Sequence, residues 1–137
     1  MTVIDASLLV KYVLHEEGWE KVSETLRHDS PLYSVDHVLK EVANALWKHA
    51  YLRKMMPTSL AHELYSLVER LAETRVIVLE EERIYLPRAL HIALQHGLTV
   101  YDSLYIAQAE KYGKLLTSDA TQARVATDLG IETILIS

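Results

Sequence analysis

Four acidic side chains, Asp5, Glu41, Asp102 and Asp119, stand where the chain changes from one kind of local structure to another. Asp5 ends an apolar, strand-like start, Thr2-Val3-Ile4. Glu41 lies within a helix-patterned segment. Asp102 opens another helix, and Asp119 follows the short run Leu115-Leu116-Thr117-Ser118. If the fold gathers these groups, four negative charges share one pocket. Each close like-charge pair at about 4 Å costs on the order of 4 kcal/mol at an effective dielectric near 20. A divalent cation or the uptake of protons relieves that cost. The pattern therefore reads as a magnesium or manganese site, and such sites commonly carry out phosphate chemistry.

The elements that must position these acids follow from periodicity and punctuation. Strands are expected at Thr2–Ile4, Leu32–Val35, Val76–Leu79, Leu115–Thr117 and Glu132–Ile136, each short and apolar. Helices are expected at Ala6–Leu14, Trp19–Arg27, from an Asp36 cap through Val38, Val42, Ala45, Leu46 and His49, from Pro57-Thr58 to about Glu73, and at Arg83–His96, Tyr101–Tyr112 and Ala120–Leu129. Gly97, Gly113 and Gly130 act as stops. Short apolar strands alternating with helices predict an α/β fold, a parallel sheet covered on both faces. Ligands of such open sheets bind outside the carboxyl ends of the strands. Asp5 and Asp119 each follow a strand directly, which places both at that edge.

Each acid also has an ordinary structural explanation. Asp5 and Asp119 can serve as helix N-caps, worth about 1 kcal/mol each, and Asp119 with Gln122 resembles a capping box. Asp102 can complement a helix dipole. Glu41 is harder to account for. It shares a helix stripe with Val38, Val42 and Ala45, and no Lys or Arg stands one turn away. Its plain alternative is a stripe-edge Glu that reaches water. Asn44, next on the same helix, can hydrogen-bond a carboxylate or sit on the rim. His37 and Glu41 share a face, but Asp36-His37 reads as a solvated helix start. The seven histidines contain no i,i+4 pair, and the basic helix end Lys48, His49, Arg53 and Lys54 is explained by the helix dipole as readily as by phosphate contacts. Ser7 and Ser118 lack a nucleophile elbow, and there is no glycine-rich phosphate loop.

Composition narrows the classes further. A chain of 137 residues, half of them apolar, suits a single domain over residues 1–137 with one core. No apolar run approaches the roughly 20 residues of a membrane span, and the N-terminus lacks the basic start of a secretory signal. The absence of cysteine excludes disulfides and thiolate metal sites and fits a cytoplasmic protein. One asparagine and three glutamines point to a heat-stable protein. A net charge of -5 argues against a general nucleic-acid-coating protein, but not against an enzyme that meets nucleic acid locally.

Taken in order, four blocks resemble the PIN-domain family, and within it the VapC-like toxin half of toxin–antitoxin pairs. Val3-Ile4-Asp5-Ala6-Ser7 is similar to the family's opening strand and first acid. Glu41-Val42-Ala43-Asn44-Ala45-Leu46 is similar to its helix-borne Glu followed by Asn. Val100-Tyr101-Asp102-Ser103-Leu104-Tyr105-Ile106-Ala107 is similar to its most recognisable block, and Leu115-Leu116-Thr117-Ser118-Asp119 to its Thr-x-Asp ending. The blocks are short, but their order and spacing span essentially the whole chain. The resemblance implies a three-layer α/β/α sandwich with a central, mainly parallel five-stranded sheet. It implies that Asp5, Glu41, Asp102 and Asp119 are the catalytic and metal-binding residues, with Ser7, Asn44 and Thr117 supporting the carboxylates. It further implies a Mg²⁺- or Mn²⁺-dependent endoribonuclease, a small antitoxin partner and a homodimer. A housekeeping RNA-processing nuclease and a non-catalytic acidic module remain as alternatives. A phosphoacceptor domain fits less well, because the third strand ends in Leu79-Glu80 and no Lys follows the fifth. An Asp-x-Asp phosphatase lacks its second Asp, since Ala6-Ser7 follow Asp5.

Overall fold

The apolar β-branched runs do form strands, and the computed structural model describes all residues from Met1 to Ser137. The strands are β1 (Val3–Ile4), β2 (Leu32–Val35), β3 (Ile77–Glu80), β4 (Lys114–Thr117) and β5 (Glu132–Leu135). Thr2 falls just outside β1, although its carbonyl still accepts from the Tyr33 N–H at 2.8 Å. All pairings are parallel, in the spatial order β3-β2-β1-β4-β5. The chain therefore builds outward from β1 through β2 to β3, then returns across the sheet to place β4 on the other side of β1. This reversal is the topological switch point, and it opens a crevice between the carboxyl ends of β1 and β4. The register pairs Ile4 with Leu116, so the two strands end side by side.

The helices are α1 (Ala6–Leu14), α2 (Trp19–His28), α3 (His37–Trp47), α4 (Thr58–Glu73), α5 (Glu82–His96), α6 (Val100–Tyr112) and α7 (Ala120–Asp128). Right-handed crossovers place α1 to α4 on one face of the sheet and α5 to α7 on the other, and the helices pack among themselves in those two groups. The result is the expected three-layer sandwich. Its core joins strand residues Val3, Ile4, Leu32 and Leu115 to Leu8, Leu9, Val38 and Val42 of one layer and Leu104 and Ile106 of the other. None of the helices is long and apolar enough to cross a membrane.

Helix α6 differs from its surface neighbours. Every residue from Ser103 to Ala109 is buried, so it has no solvent stripe in its middle and lies enclosed between the sheet, α5 and α7. Thr99 caps its start by accepting from the Asp102 N–H at 3.1 Å, and Gly113 ends it in the left-handed region at φ 92°. Its first turn is thereby held at the rim of the crevice.

Two local expectations are corrected. Asp36 does not cap α3; its own backbone is already helical, and its side chain instead accepts from the Glu82 N–H at 3.0 Å, capping α5 from a distance. The basic stretch after α3 is a π-helical turn at Lys48–Leu52, in which the coil widens before α4. Glu80, the acid at the end of β3, accepts hydrogen bonds from Tyr85, Gln108 and Tyr112. Burial alone would raise its carboxyl, but these donors, with Lys111, hold it below the usual range. Its role is to fasten β3 to the α5–α6 layer.

Replacing Asp36 with Ala removes a cap from α5 only. Chemical denaturation should show a loss of about 1 kcal/mol, with the acidic crevice unaltered; an unchanged stability would mean that the Glu82 N–H is served equally well by water.

Candidate active site

The four acids converge. Asp5 and Asp119 stand at the ends of β1 and β4, Glu41 is one turn into α3, and Asp102 lies in the first turn of α6. All four line one cavity of about 300 Å³ with Ser7, Glu16, Tyr105 and Ser118. Each helical layer thus contributes one acid, and the sheet edge between them contributes two. No Lys or Arg lines this cavity.

Asp5 is the most constrained member, 2 % exposed. Its Oδ1 accepts from Ser7 Oγ at 2.7 Å and from the Leu8 N–H at 3.2 Å, and its Oδ2 accepts from Thr117 Oγ1. The cap reading and the pocket reading therefore hold together: one carboxylate ends β1, starts α1 and faces the cavity. Ser7 Oγ in turn accepts from the Ser118 N–H at 2.8 Å, and Thr117 Oγ1 accepts from the Asp119 N–H at 3.0 Å. These two hydroxyls stitch β1 to β4.

Asp119 caps α7, accepting with Oδ1 from the Thr121 and Gln122 N–H groups at 2.9 and 3.0 Å. The capping box is only half formed, because the Gln122 side chain does not return to Asp119. Fully buried, it gives its Nε2 proton to the Asp102 carbonyl at 2.8 Å and sets its Oε1 3.1 Å from Thr117 Oγ1. Gln122 thus ties the start of α6 to the end of β4, a link between distant segments that no local pattern announces.

Burial raises the Asp5 carboxyl to about 6, with a further push from Asp119, against the hydrogen bonds that lower it. Burial likewise raises Glu41 to about 7, reinforced by the charges of Asp102 and Asp5. Asp102 is raised by burial and by Asp119. Tyr105 is almost fully buried against these carboxylates, and burial and their charges push its phenol far up. Its hydroxyl is close enough to Glu41 to favour the ionised carboxylate, but it makes no aligned hydrogen bond.

Two further residues depart from expectation. His37 is buried, not a solvated helix start; its Nε2 lies 2.9 Å from Glu41 Oε1, off the direction of an aligned hydrogen bond, and its ring stacks on Tyr101 at 4.9 Å. Asn44 is exposed and makes no hydrogen bond to Glu41, although the two line the same adjoining hollow. Glu16, in the connection between α1 and α2, adds a fifth carboxylate to the cavity wall.

No three His, Asp or Glu side chains form a ready-made cage for an ion. The carboxylates line the walls of a polar cavity instead. That donor set, all hard oxygens with no compensating cation, suits a small divalent ion that retains several of its waters. Asp5, Glu41, Asp102 and Asp119 are the groups that would hold it.

The family model of the PIN domain matches residues 2–128. This chain belongs to the PIN-domain family. Among related PIN-domain proteins, it is 37 % identical over 122 residues to "Ribonuclease VapC3" of Pyrobaculum aerophilum, a match covering 85 % of this chain and 88 % of that one. It is 27 % identical over 136 residues to "Exonuclease VapC9" of the same organism, covering 98 % and 92 %. The crystal structure of PAE2754 from Pyrobaculum aerophilum superposes with a TM-score of 0.67 at 25 % identity, over 90 % of this chain and 83 % of that one.

The raised carboxyls make the metal-free protein sensitive to pH. Between the ordinary Glu value of 4.5 and about 7, folded Glu41 binds more protons than unfolded Glu41. Stability therefore falls as pH rises through that window. Without divalent ions, Glu41→Gln should melt at a higher temperature than the wild type at pH 8, and the difference should close near pH 4.5. A difference independent of pH would refute a shared negative field.

Proposed function

We propose that this PIN-domain protein is a ribonuclease of the VapC type, hydrolysing phosphodiester bonds of RNA with the help of Mg²⁺ or Mn²⁺. The observation that carries this reading is the convergence of four carboxylates, one from each helical layer and two from the sheet edge, on a cavity that no Lys or Arg lines. Two relatives with nuclease names support it. The bound ion would lower the pKa of a water to make a nucleophile and neutralise charge on the phosphate.

The chain's own residues have separable tasks. Asp5 is the fixed ligand, its two oxygens oriented by Ser7, Leu8 N–H and Thr117. Asp102 and Asp119 face the same volume from α6 and the start of α7. Glu41, whose carboxyl burial pushes up to about 7 in the metal-free protein, is suited to orient the attacking water. The acidic walls repel RNA until cations balance them, so RNA affinity should depend on the divalent ion and not chiefly on monovalent salt. Members of VapC-type pairs act with a small antitoxin, and we assign this chain such a partner, with a basic side chain that blocks the acidic cavity. We also propose that it acts as a homodimer.

Cleavage of a labelled single-stranded RNA separates the roles. Asp5→Asn should lose at least about 100-fold in kcat/KM while keeping the wild-type circular dichroism. Ser7→Ala and Thr117→Val should lose about 10- to 100-fold, as supporting groups do. Wild-type cleavage by Asp5→Asn with Mg²⁺ would overturn the reading and favour a non-catalytic acidic module. Internal fragments at early times would mark endonucleolytic cutting; stepwise loss of mononucleotides would mark the exonuclease pattern.

A further inference from the structure

Beside the acidic cavity lies a second feature that the hydrolytic machinery does not use. Tyr101 immediately precedes Asp102 at the start of α6 and is 60 % exposed. Its ring is nevertheless fixed, because the buried His37 ring lies parallel beneath it, 4.9 Å away at 11°. The His37 Nε2 lies 2.9 Å from the Glu41 carboxylate without an aligned hydrogen bond. Two hollows surround Tyr101, of about 330 and 450 Å³. Glu41, Asn44 and Tyr101 line both, so they form one groove around the ring. Glu41 and Asp102 also line the acidic cavity, so the groove adjoins it.

Lysines share the groove with the acids: Lys48 lines one hollow and Lys40 the other. Lys48, on the π-helical turn, makes no ion pair, while Lys40 is paired with Glu82 at 3.1 Å and remains largely exposed. An exposed flat ring, held rigid from below, with an amide and two ammonium groups around it, has the chemistry of a single-stranded nucleotide site. The base stacks on the ring, and the lysines meet the phosphates.

We propose that Tyr101, backed by His37, is a stacking platform for an unpaired base of the RNA next to the phosphate that is cut. This rests on the nuclease reading and adds a substrate-binding residue to it. The platform fixes where the strand lies, so the scissile phosphate reaches the carboxylates in register. It also imposes single-strandedness, because a base within a duplex has no free face to offer. Stacking accepts any base, so Tyr101 contributes affinity and register without demanding a sequence.

The test uses the full chain and short single-stranded RNAs carrying 2-aminopurine at successive positions, with Ca²⁺ in place of Mg²⁺ so that binding is read without turnover. The wild type should quench the probe at one or two adjacent positions. Tyr101→Phe should retain the quench. Tyr101→Ala should lose it and bind about 5- to 100-fold more weakly. Where the wild type cleaves with Mn²⁺, Tyr101→Ala should lower kcat/KM by a similar factor. An RNA abasic at the quenched position should bind the wild type as weakly as Tyr101→Ala binds the intact strand. Equal binding and quenching by Tyr101→Ala, or no position-dependent quench by the wild type, would overturn the platform. A Tyr101-dependent quench without cleavage in Mg²⁺ or Mn²⁺ would overturn the nuclease reading and leave the platform standing. Cleavage that is indifferent to Tyr101→Ala would do the reverse.

Discussion

The Asp5 carboxylate is the constraint on which this architecture turns. It is buried where β1 stops, held by two side-chain hydroxyls and one backbone N–H, and it faces a cavity walled by four other carboxylates. The hydrogen bonds favour its charge; burial opposes it more strongly. A group in that position is costly to the folded state and useful to a cation. The surrounding structure can carry the cost because β1 sits centrally, with β2 and β4 on either side and apolar residues of both layers above and below.

The topology determines which acids can meet Asp5. Reversal of strand order beside β1 opens the crevice between β1 and β4, and Asp119 joins Asp5 there. The two helical layers then close over the crevice from opposite faces. One brings Glu41 on α3, and the other brings Asp102 on α6. Gln122 spans the gap between β4 and α6, so the position of Asp102 depends on a buried amide three residues beyond Asp119. The cavity is therefore a property of the whole sandwich, and each wall is fixed by a different part of the core.

Much of this was legible in the sequence, for identifiable reasons. The strands were short, apolar and bounded by turn residues, so their period and order implied a parallel sheet. Asp5 and Asp119 followed strands directly, which placed them at the ligand-binding edge. Ser7 and Thr117 reach Asp5, in keeping with the resemblance to the PIN domain. What the sequence pattern does not carry depends on contacts between distant segments. Asp36 looked like the cap of its own helix, but the free N–H lay on α5, 46 residues on. His37 looked solvated because it followed Asp36, yet Tyr101 covers it from the other layer. Gln122 reads as the partner of Asp119 in a capping box, and Tyr105 as one more residue of the Tyr101–Tyr112 helix. The expected hydrogen-bonding role of Asn44 is absent, because its side chain is turned to the groove. The π-helical turn at Lys48 had no signature in the pattern of apolar residues, which simply continued the helix.

A calorimetric titration of the wild type with Mn²⁺ at pH 6, repeated in buffers of different ionisation enthalpy, tests the central claim most directly. If the carboxylates form one negative site, binding should be saturable and should release protons, because Asp5 and Glu41 are partly protonated at that pH. The release should be much smaller at pH 8 than at pH 6, and binding should be lost in Asp5→Asn. Absence of saturable binding, or binding without proton release that survives Asp5→Asn, would contradict a shared cation site and leave the acids as helix caps and rim charges.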